Sequence, residues 1–192
     1  DQYIIATFPS KNYNIDDYPA VKEYLLSFGI ERLEQSGKQY TINGEIVKSR
    51  KKTNNKWFET QDSISYWDDF SKQKIVWGEI SDKPKFAIDE NGDYYVEATS
   101  FYMTGDMLFY LLHYLNSSLS KFYFSKLGTT TGVGTIRWKK FKLEELPIPK
   151  PDMLSPETLK KLMGTLNENE ADKLILSIYP FTSEELSSIL EV

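Results

Sequence analysis

The hydrophobic period of the chain changes from that of strands to that of helices between residues 74 and 127. Three short runs rich in β-branched and aromatic residues, separated by DKP and ENG turns, occupy residues 74–80, 85–89 and 94–104. Apolar residues then recur at helical spacing, first over 108–115 and again over 119–123. We therefore predict two helices with a hinge at residues 116–118 and a helix stop at Gly128. This order predicts an α+β fold, with a mixed or antiparallel sheet flanked by helices.

The segments before this sheet carry one strand signal and one helix signal. Residues 3–8, YIIATF, are rich in β-branched and aromatic side chains and are followed by Pro9, which predicts a strand. Pro19 opens an amphipathic repeat, which predicts a helix with proline in its first turn. Residues 33–47 show no clear period, so we predict a loop there.

The end of the chain predicts a small C-terminal helical tail. The PIPKP sequence at residues 147–151 is typical of an extended connector. Ser155 before Pro156 predicts a helix start, and Thr182 with Glu185 predicts a capping box. We therefore predict one domain over residues 1–149, followed by a connector and helical tail over residues 150–192.

Composition excludes several kinds of site. The chain has no cysteine, so disulfides and thiolate metal sites are excluded. The single histidine, His113, lies in the apolar sequence LLHYL, which predicts a core or boundary histidine rather than a catalytic base. No apolar run approaches the roughly 20 residues of a membrane-spanning helix, and we expect a soluble, cytoplasmic protein without a membrane partner. The start at Asp1, without a signal-peptide pattern, indicates a piece of a longer protein.

Positive charge is concentrated in two short runs of an acidic chain. The net charge is −5, yet residues 48–56, the first basic run, hold Lys48, Arg50, Lys51, Lys52 and Lys56 without an acid. Residues 137–142, the second basic run, hold Arg137, Lys139, Lys140 and Lys142, with Trp138 and Phe141 between them. Cations beside planar donors and aromatic rings suit contacts with nucleic-acid phosphates and bases. Solvated surface charge is the alternative interpretation.

The glycine-rich loop GTTTGVGT at residues 128–135 is a candidate phosphate contact. Glycine lets backbone N–H groups approach an anion closely. The loop lacks the Gly-Lys-Ser/Thr ending of a nucleotide-binding P-loop and leads into β-rich sequence, so it is no nucleotide motif. A surface loop is the default interpretation, and contact with a nucleic-acid backbone through Thr130 and Thr131 is the sharper hypothesis.

Several segments in a fixed order resemble one protein family. They are FPSKNYNIDDYPAVKEYLLSFGIERLEQ, SRKKTNNKWFETQDSISYWDDF, KIVWGEIS, KFAID, LNSSLSKFYFSKLG and IRWKKFKLEELPIP. Together they resemble the C-terminal target-recognition domain of TaqI-like adenine-N6 DNA methyltransferases, notably the single-chain type IIG restriction-modification enzymes. The resemblance covers nearly the whole chain, and the tail departs from the family's usual sequence at Pro180 and Phe181.

This resemblance implies a module that reads a short duplex sequence while a catalytic domain flips out an adenine and methylates it. The family's catalytic, cofactor-binding and nuclease motifs are not found in these residues, so we expect neither catalysis nor a bound cofactor from this chain. S-adenosylmethionine would be bound by the upstream methyltransferase domain of the same polypeptide, and Mg²⁺ by a nuclease domain if the parent has one. Double-stranded DNA and that domain are the implied partners, in a system of phage defence.

The resemblance and the basic runs together predict the DNA contacts. In the first run we expect Lys48, Arg50, Lys51, Lys52 and Lys56 to lie along the DNA backbone and Asn54 or Asn55 to lie near a base edge. Trp57 is a candidate to stack on or wedge beside a base, with packing in the core as the alternative interpretation. Arg137, Lys139 and Lys140 would grip another part of the duplex, and Thr130 and Thr131 would touch its backbone.

Two other functions stay open. A protein-interaction or scaffold module would dock its acidic tail and aromatic surface on the methyltransferase portion without DNA affinity of its own; residues 150–192 hold eight acids and four lysines, a net charge of −4. An independent hydrolase or nucleotide-binding protein rests only on the glycine-rich loop and scattered carboxylates. Saturable ATP or GTP binding would support the second of these functions.

Overall fold

A computed structural model describes residues 3–62, 64–127 and 134–191 of the chain. It divides the chain into two compact units, Asp1–Trp67 and Asp68–Val192. Both units contain helices and antiparallel strand pairs, which confirms the predicted α+β class. Within the described residues, no helix has the length and apolar character needed to span a membrane.

The first unit contains a β-hairpin. Strands β1 (Gln39–Ile42) and β2 (Glu45–Lys48) pair in antiparallel fashion. Asn43 and Gly44 connect them with φ angles of 54° and 85°. Positive φ at both central residues is what a two-residue type I′ turn requires, and an Asn-Gly pair adopts it readily. The hairpin therefore places Lys48 at the start of the loop that carries the first basic run.

Helices and irregular segments complete the first unit. Helix α1 (Pro19–Leu26) begins with proline in its first turn, as predicted, and α2 (Ile30–Leu33) follows after Gly29. Short 3-10 turns lie at Pro9–Lys11 and Ile15–Asp17. The buried apolar side chains of this unit include Phe8, Ile15, Val47 and Phe58.

Two local predictions for the first unit are wrong. Residues 3–8 form no strand, and the Thr7 carbonyl instead accepts a single hydrogen bond from Thr60 N at 2.9 Å. Side chains that suit a strand produce one only where a partner strand lies alongside, and no described strand pairs with this segment. Residues 33–47, predicted as a loop, contain most of the hairpin, for which Asn43-Gly44 is the local signal.

Short antiparallel strands form two sheets in the second unit. Strand β3 (Lys74–Gly78) lies between β5 (Ala87–Asp89) and β6 (Ser100–Thr104), and β4 (Ile80–Ser81) pairs with β7 (Ile136–Arg137). The chain changes from one sheet to the other at Glu79. The three predicted strand runs are confirmed, although the strands are shorter than the runs.

Helices flank the sheet and form the tail of the second unit. They are α3 (Leu108–Asn116), α4 (Ser118–Lys126), α5 (Lys140–Leu143), α6 (Pro156–Leu162), α7 (Glu168–Leu176) and α8 (Ser183–Leu190). A 3-10 turn lies at Pro151–Met153, and another, Trp67–Ser71, begins at the last residue of the first unit. The predicted hinge between α3 and α4 is confirmed at Ser117. Ser155 caps α6, and Thr182 with Glu185 forms the predicted capping box of α8. The predicted helix stop at Gly128 lies outside the described residues.

Two apolar clusters stabilise the second unit. The first packs the sheet against α3 and α4 and includes Ile75, Phe124 and Trp138. The second packs α3 against the tail and includes Tyr114 and Ile175. The tail thus packs within the second unit, and the domain boundary predicted at residue 149 stays a prediction.

The histidine of α3 lies between the helices of the second unit. His113 is buried, and its Nε2 lies 2.9 Å from the carbonyl oxygen of Gly164. A buried imidazole with a hydrogen-bond partner is the outcome predicted for a core or boundary histidine, which is therefore confirmed.

Candidate nucleic-acid interface

The first basic run continues from β2 into a loop that a buried glutamine holds in place. Gln35 is 6% exposed. Its carbonyl oxygen accepts from Thr53 N at 3.0 Å, and its Oε1 accepts from the Thr53 hydroxyl at 2.6 Å. Its Nε2 donates to the carbonyls of Lys56 at 3.0 Å and Glu59 at 2.8 Å. One residue therefore fixes both ends of the segment 53–59, and its buried amide is paired on both sides.

Arg50 is turned into the same loop. Its Nε donates to the Leu33 carbonyl at 2.8 Å, and its Nη1 donates to the Glu59 carbonyl at 2.9 Å. Its Nη2 donates to the carbonyls of Leu33 and Trp57. Burial lowers the pKa of the Arg50 guanidinium from its ordinary value, but an arginine in a protein stays protonated. The cation thus ties the end of α2 to the segment 53–59, and its phosphate contact stays a prediction.

Asn55 and Lys56 also make contacts within the loop. Asn55 Nδ2 donates to the carbonyls of Thr60 at 3.0 Å and Gln61 at 3.2 Å. Lys56 N donates to Glu59 Oε2 at 2.7 Å, and Lys56 Nζ lies 3.8 Å from Oε1 of the same carboxylate. Glu59 is itself 5% exposed. Part of the charge of Lys56 is therefore compensated by a buried acid that sequence reasoning did not single out.

Four side chains of the run lie on the outside of this framework: Lys48, Lys51, Lys52 and Asn54. All four are exposed, and within the described ranges none of them forms a side-chain hydrogen bond or an ion pair. Gly37 N donates to the Arg50 carbonyl at 2.9 Å. A Cβ on Gly37, whose φ is +69°, would lie 3.4 Å from the Cβ of Lys52. The unpaired lysines therefore project from a closely packed backbone.

Trp57 packs partly within the first unit. Its indole meets the buried ring of Phe58 edge-on, with ring centroids 5.5 Å apart. Lys56 Nζ lies 5.5 Å from the centroid of the same Phe58 ring. The half-buried indole has a packing role, and its contact with a base stays a prediction.

The second basic run is anchored on the smaller sheet of the second unit. Strand β7 ends at Arg137, and Trp138 N donates to the Glu79 carbonyl at 2.7 Å. Trp77 Nε1 donates to the Trp138 carbonyl at 2.9 Å. The Trp138 ring is 1% exposed and packs on Phe124, with centroids 4.3 Å apart. The aromatic residue at the centre of this run therefore belongs to the core.

Carboxylates compensate much of the charge of the second run. The ion pairs are Arg137–Glu79 at 3.1 Å, Lys140–Glu144 at 3.7 Å and Lys142–Glu145 at 3.0 Å. Lys139 is half-buried at the N-cap of α5 and forms no ion pair with a described residue. Thr130 and Thr131 lie outside the described residues. The second run therefore presents less unpaired charge than its sequence indicates.

The most deeply buried charges of the second unit form a structural centre. Lys74 is fully buried and forms an ion pair with Asp89, which is 5% exposed. Asp89 also accepts from the N–H groups of Gly92, Asp93 and Tyr94, each at 3.0 Å. Burial opposes ionisation of Asp89, but the hydrogen bonds from Lys74 and the backbone outweigh it, so the pKa of this carboxyl is lowered. Among the described residues no group of His, Cys, Asp and Glu is placed to hold a metal ion.

Sequence reasoning missed the residues that organise the first run. Gln35 and Glu59 resemble any other polar residue in the sequence, and Gln35 bonds to residues 18 to 24 positions further along the chain. Gly37 is the one readable signal, because glycine in a stretch without a period marks a position where the backbone turns or packs closely. The exposed lysines were predicted from charge alone, and the structure separates them from Arg50.

The first basic run thus presents unpaired lysines on a loop that hydrogen bonds from Gln35 hold in place. A family model described as the TaqI-like C-terminal specificity domain matches residues 20–148. The chain belongs to this family, and the resemblance noted in its sequence is confirmed. A search of curated proteins found no match. A specificity domain of a TaqI-like methyltransferase implies no catalytic role for this chain.

Proposed function

We propose that the chain is the sequence-specific DNA-recognition module of a restriction-modification adenine methyltransferase. The observation that carries this proposal is the set of exposed, unpaired lysines on a fixed loop, in a chain whose net charge is −5. Cations that neutralise phosphates release counterions and fix the register of a protein on a duplex. Membership in a family of specificity domains supports the same role.

In this proposal the chain positions the duplex and performs no chemical step. Lys48, Lys51 and Lys52 contact phosphates, while Arg50 and Asn55 hold the loop that presents them. S-adenosylmethionine is bound by a methyltransferase domain of the same polypeptide, as is Mg²⁺ by a nuclease domain if one is present. A place in phage defence and in the cytoplasm belongs to the same proposal.

The second basic run would take part by exchanging partners. Arg137 and Lys140 would move from Glu79 and Glu144 to phosphates, which costs little because exposed ion pairs contribute only about 0–1 kcal/mol. Lys139, which has no carboxylate partner among the described residues, would contact the phosphate backbone of the DNA directly. The proposal therefore assigns three phosphate contacts to each run, and those of the first run require no exchange of partners.

The salt dependence of duplex binding by the full chain tests this proposal. Lys51→Glu/Lys52→Glu is expected to flatten the slope of log affinity against log salt by about 2, since each phosphate contact contributes roughly 0.9. Lys150→Glu/Lys160→Glu in the tail changes the net charge equally and is expected to keep the wild-type slope. A wild-type slope in the first variant would contradict the phosphate contacts. Failure of the wild-type chain to bind any duplex would contradict the function itself.

A motif exchange tests sequence recognition in the intact methyltransferase. Residues 48–56 and 128–142 are replaced by those of a relative with a different target, and adenine methylation is mapped across the genome. A changed motif would support base reading by these segments. The same motif at a lower level would mean that they contact phosphates only.

Docking on the methyltransferase portion without DNA affinity is a second candidate function. It is supported by an apolar cavity of about 310 Å³ in the first unit, lined by residues that include Ile4, Ile5 and Tyr18. Ile4 and Tyr18 are 59% and 47% exposed, and exposed apolar patches often mark interaction sites. Co-purification of the chain with the separately produced methyltransferase portion tests it. Failure of the two portions to co-purify would contradict this function. Unchanged co-purification of the Ile4→Asp variant would contradict docking through this cavity.

A further inference from the structure

We infer that Asn54 is the residue of the first basic run that reads a base edge, and that the base is adenine; the inference rests on the proposed function. Asn54 and Asn55 are chemically identical neighbours, but the fold uses them differently. The Asn55 amide donates to the carbonyls of Thr60 and Gln61 at 3.0 and 3.2 Å. The Asn54 amide is exposed and forms no hydrogen bond with another residue of the described chain. Asn54 therefore has both its donor and its acceptor available to a ligand.

The backbone on both sides of Asn54 is fixed. Thr53 N donates to the Gln35 carbonyl at 3.0 Å, and the Thr53 hydroxyl donates to Gln35 Oε1 at 2.6 Å. Asn55 N in turn donates to Thr53 Oγ1 at 3.0 Å, which closes a turn around Asn54. The residue with the free amide thus lies between Thr53, which is bonded to the buried Gln35, and Asn55, which is bonded to Thr53. A side chain on such a support loses little backbone freedom on binding, which favours specific contact.

The neighbours of Asn54 supply the remaining requirements of a base reader. Lys51 and Lys52 carry unpaired charge three and two positions earlier in the chain, so they can hold phosphates while the amide reaches into the adjoining groove. An amide presents one donor and one acceptor in a plane, and adenine presents the complementary N7 acceptor and N6 donor at its major-groove edge. Guanine presents two acceptors there, so it leaves the amide oxygen without a donor. This chemistry assigns adenine to Asn54.

Selection of duplexes from a random pool by the full chain, followed by affinities for single-base variants, tests the inference. We expect Asn54→Ala to lower the preference for one A·T pair by roughly tenfold to a hundredfold, with other positions unchanged. Lys52→Ala is the contrasting variant, and it is expected to weaken binding to all sequences alike. The melting temperature of Asn54→Ala should equal that of the wild type. The melting temperature of Asn55→Ala should be lower, because only the Asn55 side chain forms hydrogen bonds within the protein.

The possible outcomes distinguish failure of the inference from failure of the proposed function. If the wild-type chain selects a motif and Asn54→Ala selects the same motif with the same discrimination, the inference is overturned and the proposed function stands. A loss of discrimination confined to a G·C pair would overturn the assignment to adenine. A wild-type chain that binds duplexes without any sequence preference would overturn the sequence-specific part of the proposed function, and the inference with it. A wild-type chain that binds no duplex would overturn the proposed function, and the inference with it.

Discussion

The first and second basic runs contain similar residues, but the fold uses their charges differently. In the first run Lys51 and Lys52 stand unpaired beside Arg50, whose donors are used within the protein. In the second run Arg137 and Lys140 lie at ion-pair distance from glutamates. The field at a phosphate depends on the sum of nearby charges, so a compensated run attracts DNA less than an uncompensated one. The spatial neighbours of a cation decide its availability to an anionic ligand.

The tryptophans of the two runs differ in burial, since Trp138 lies in the core and Trp57 is half-buried. Replacing Trp138 is expected to have the largest effect on stability. Trp138→Ala is expected to lower the free energy of unfolding by about 3–5 kcal/mol, because it removes a buried ring that packs on Phe124. Trp57→Ala removes a half-buried ring and is expected to cost less than half as much. Urea unfolding of both variants measures the difference. Equal losses would mean that Trp57 is as much a core residue as Trp138.

Acid should affect the second unit through its buried ion pair. The pKa of Asp89 is lowered in the folded state, so its contribution to stability is fully present above the ordinary pKa of Asp, about 3.9, and is lost as the pH falls through the lowered value. Asp89→Asn is expected to cost about 3 kcal/mol at neutral pH, because it leaves Lys74 charged and buried. It should also remove part of the acid sensitivity. Urea midpoints between pH 3 and pH 7 that fall equally in variant and wild type would contradict this.

Within the first run, Arg50 is expected to contribute to stability, whereas Lys51 and Lys52 are not. Arg50→Ala is expected to lower the free energy of unfolding by about 2 kcal/mol, because the carbonyls of Leu33, Trp57 and Glu59 lose a charged donor. Lys51→Ala/Lys52→Ala should leave stability unchanged, since these side chains have no partner among the described residues. Thermal unfolding measures both. An Arg50→Ala variant as stable as the wild type would mean that the guanidinium is free for DNA.

Helix ends could be predicted from the sequence because their causes are local. Ser155 caps α6 through the N–H of Thr158, and Thr182 exchanges bonds with Glu185 across one turn of α8. Such contacts span three residues, so the sequence contains both partners in one short pattern. The hinge at Ser117 follows from the same kind of local bond to Ser120.

Features that depend on distant partners could not be predicted in the same way. Residues 3–8 have the composition of a strand, but a strand also requires a neighbour that the sequence does not specify. The inward direction of Arg50 depends on Leu33, 17 residues earlier. The sequence therefore predicted the location of the candidate site, while the separation of supporting residues from ligand-facing ones required the fold.

The smallest expected effect comes from removing a carboxylate that compensates a cation of the second run. The cation would then be unpaired, as Lys51 and Lys52 are in the first run. Glu79→Gln removes the carboxylate 3.1 Å from Arg137 and should raise DNA affinity by roughly twofold to fivefold, the equivalent of an exposed ion pair. Glu157→Gln is the matched control, because it frees Lys161 from a 2.7 Å ion pair in the tail and should leave DNA affinity unchanged. Affinities at one fixed salt concentration compare them. Equal gains in both variants would indicate a general effect of net charge, and no gain in either would mean that Arg137 does not contact DNA.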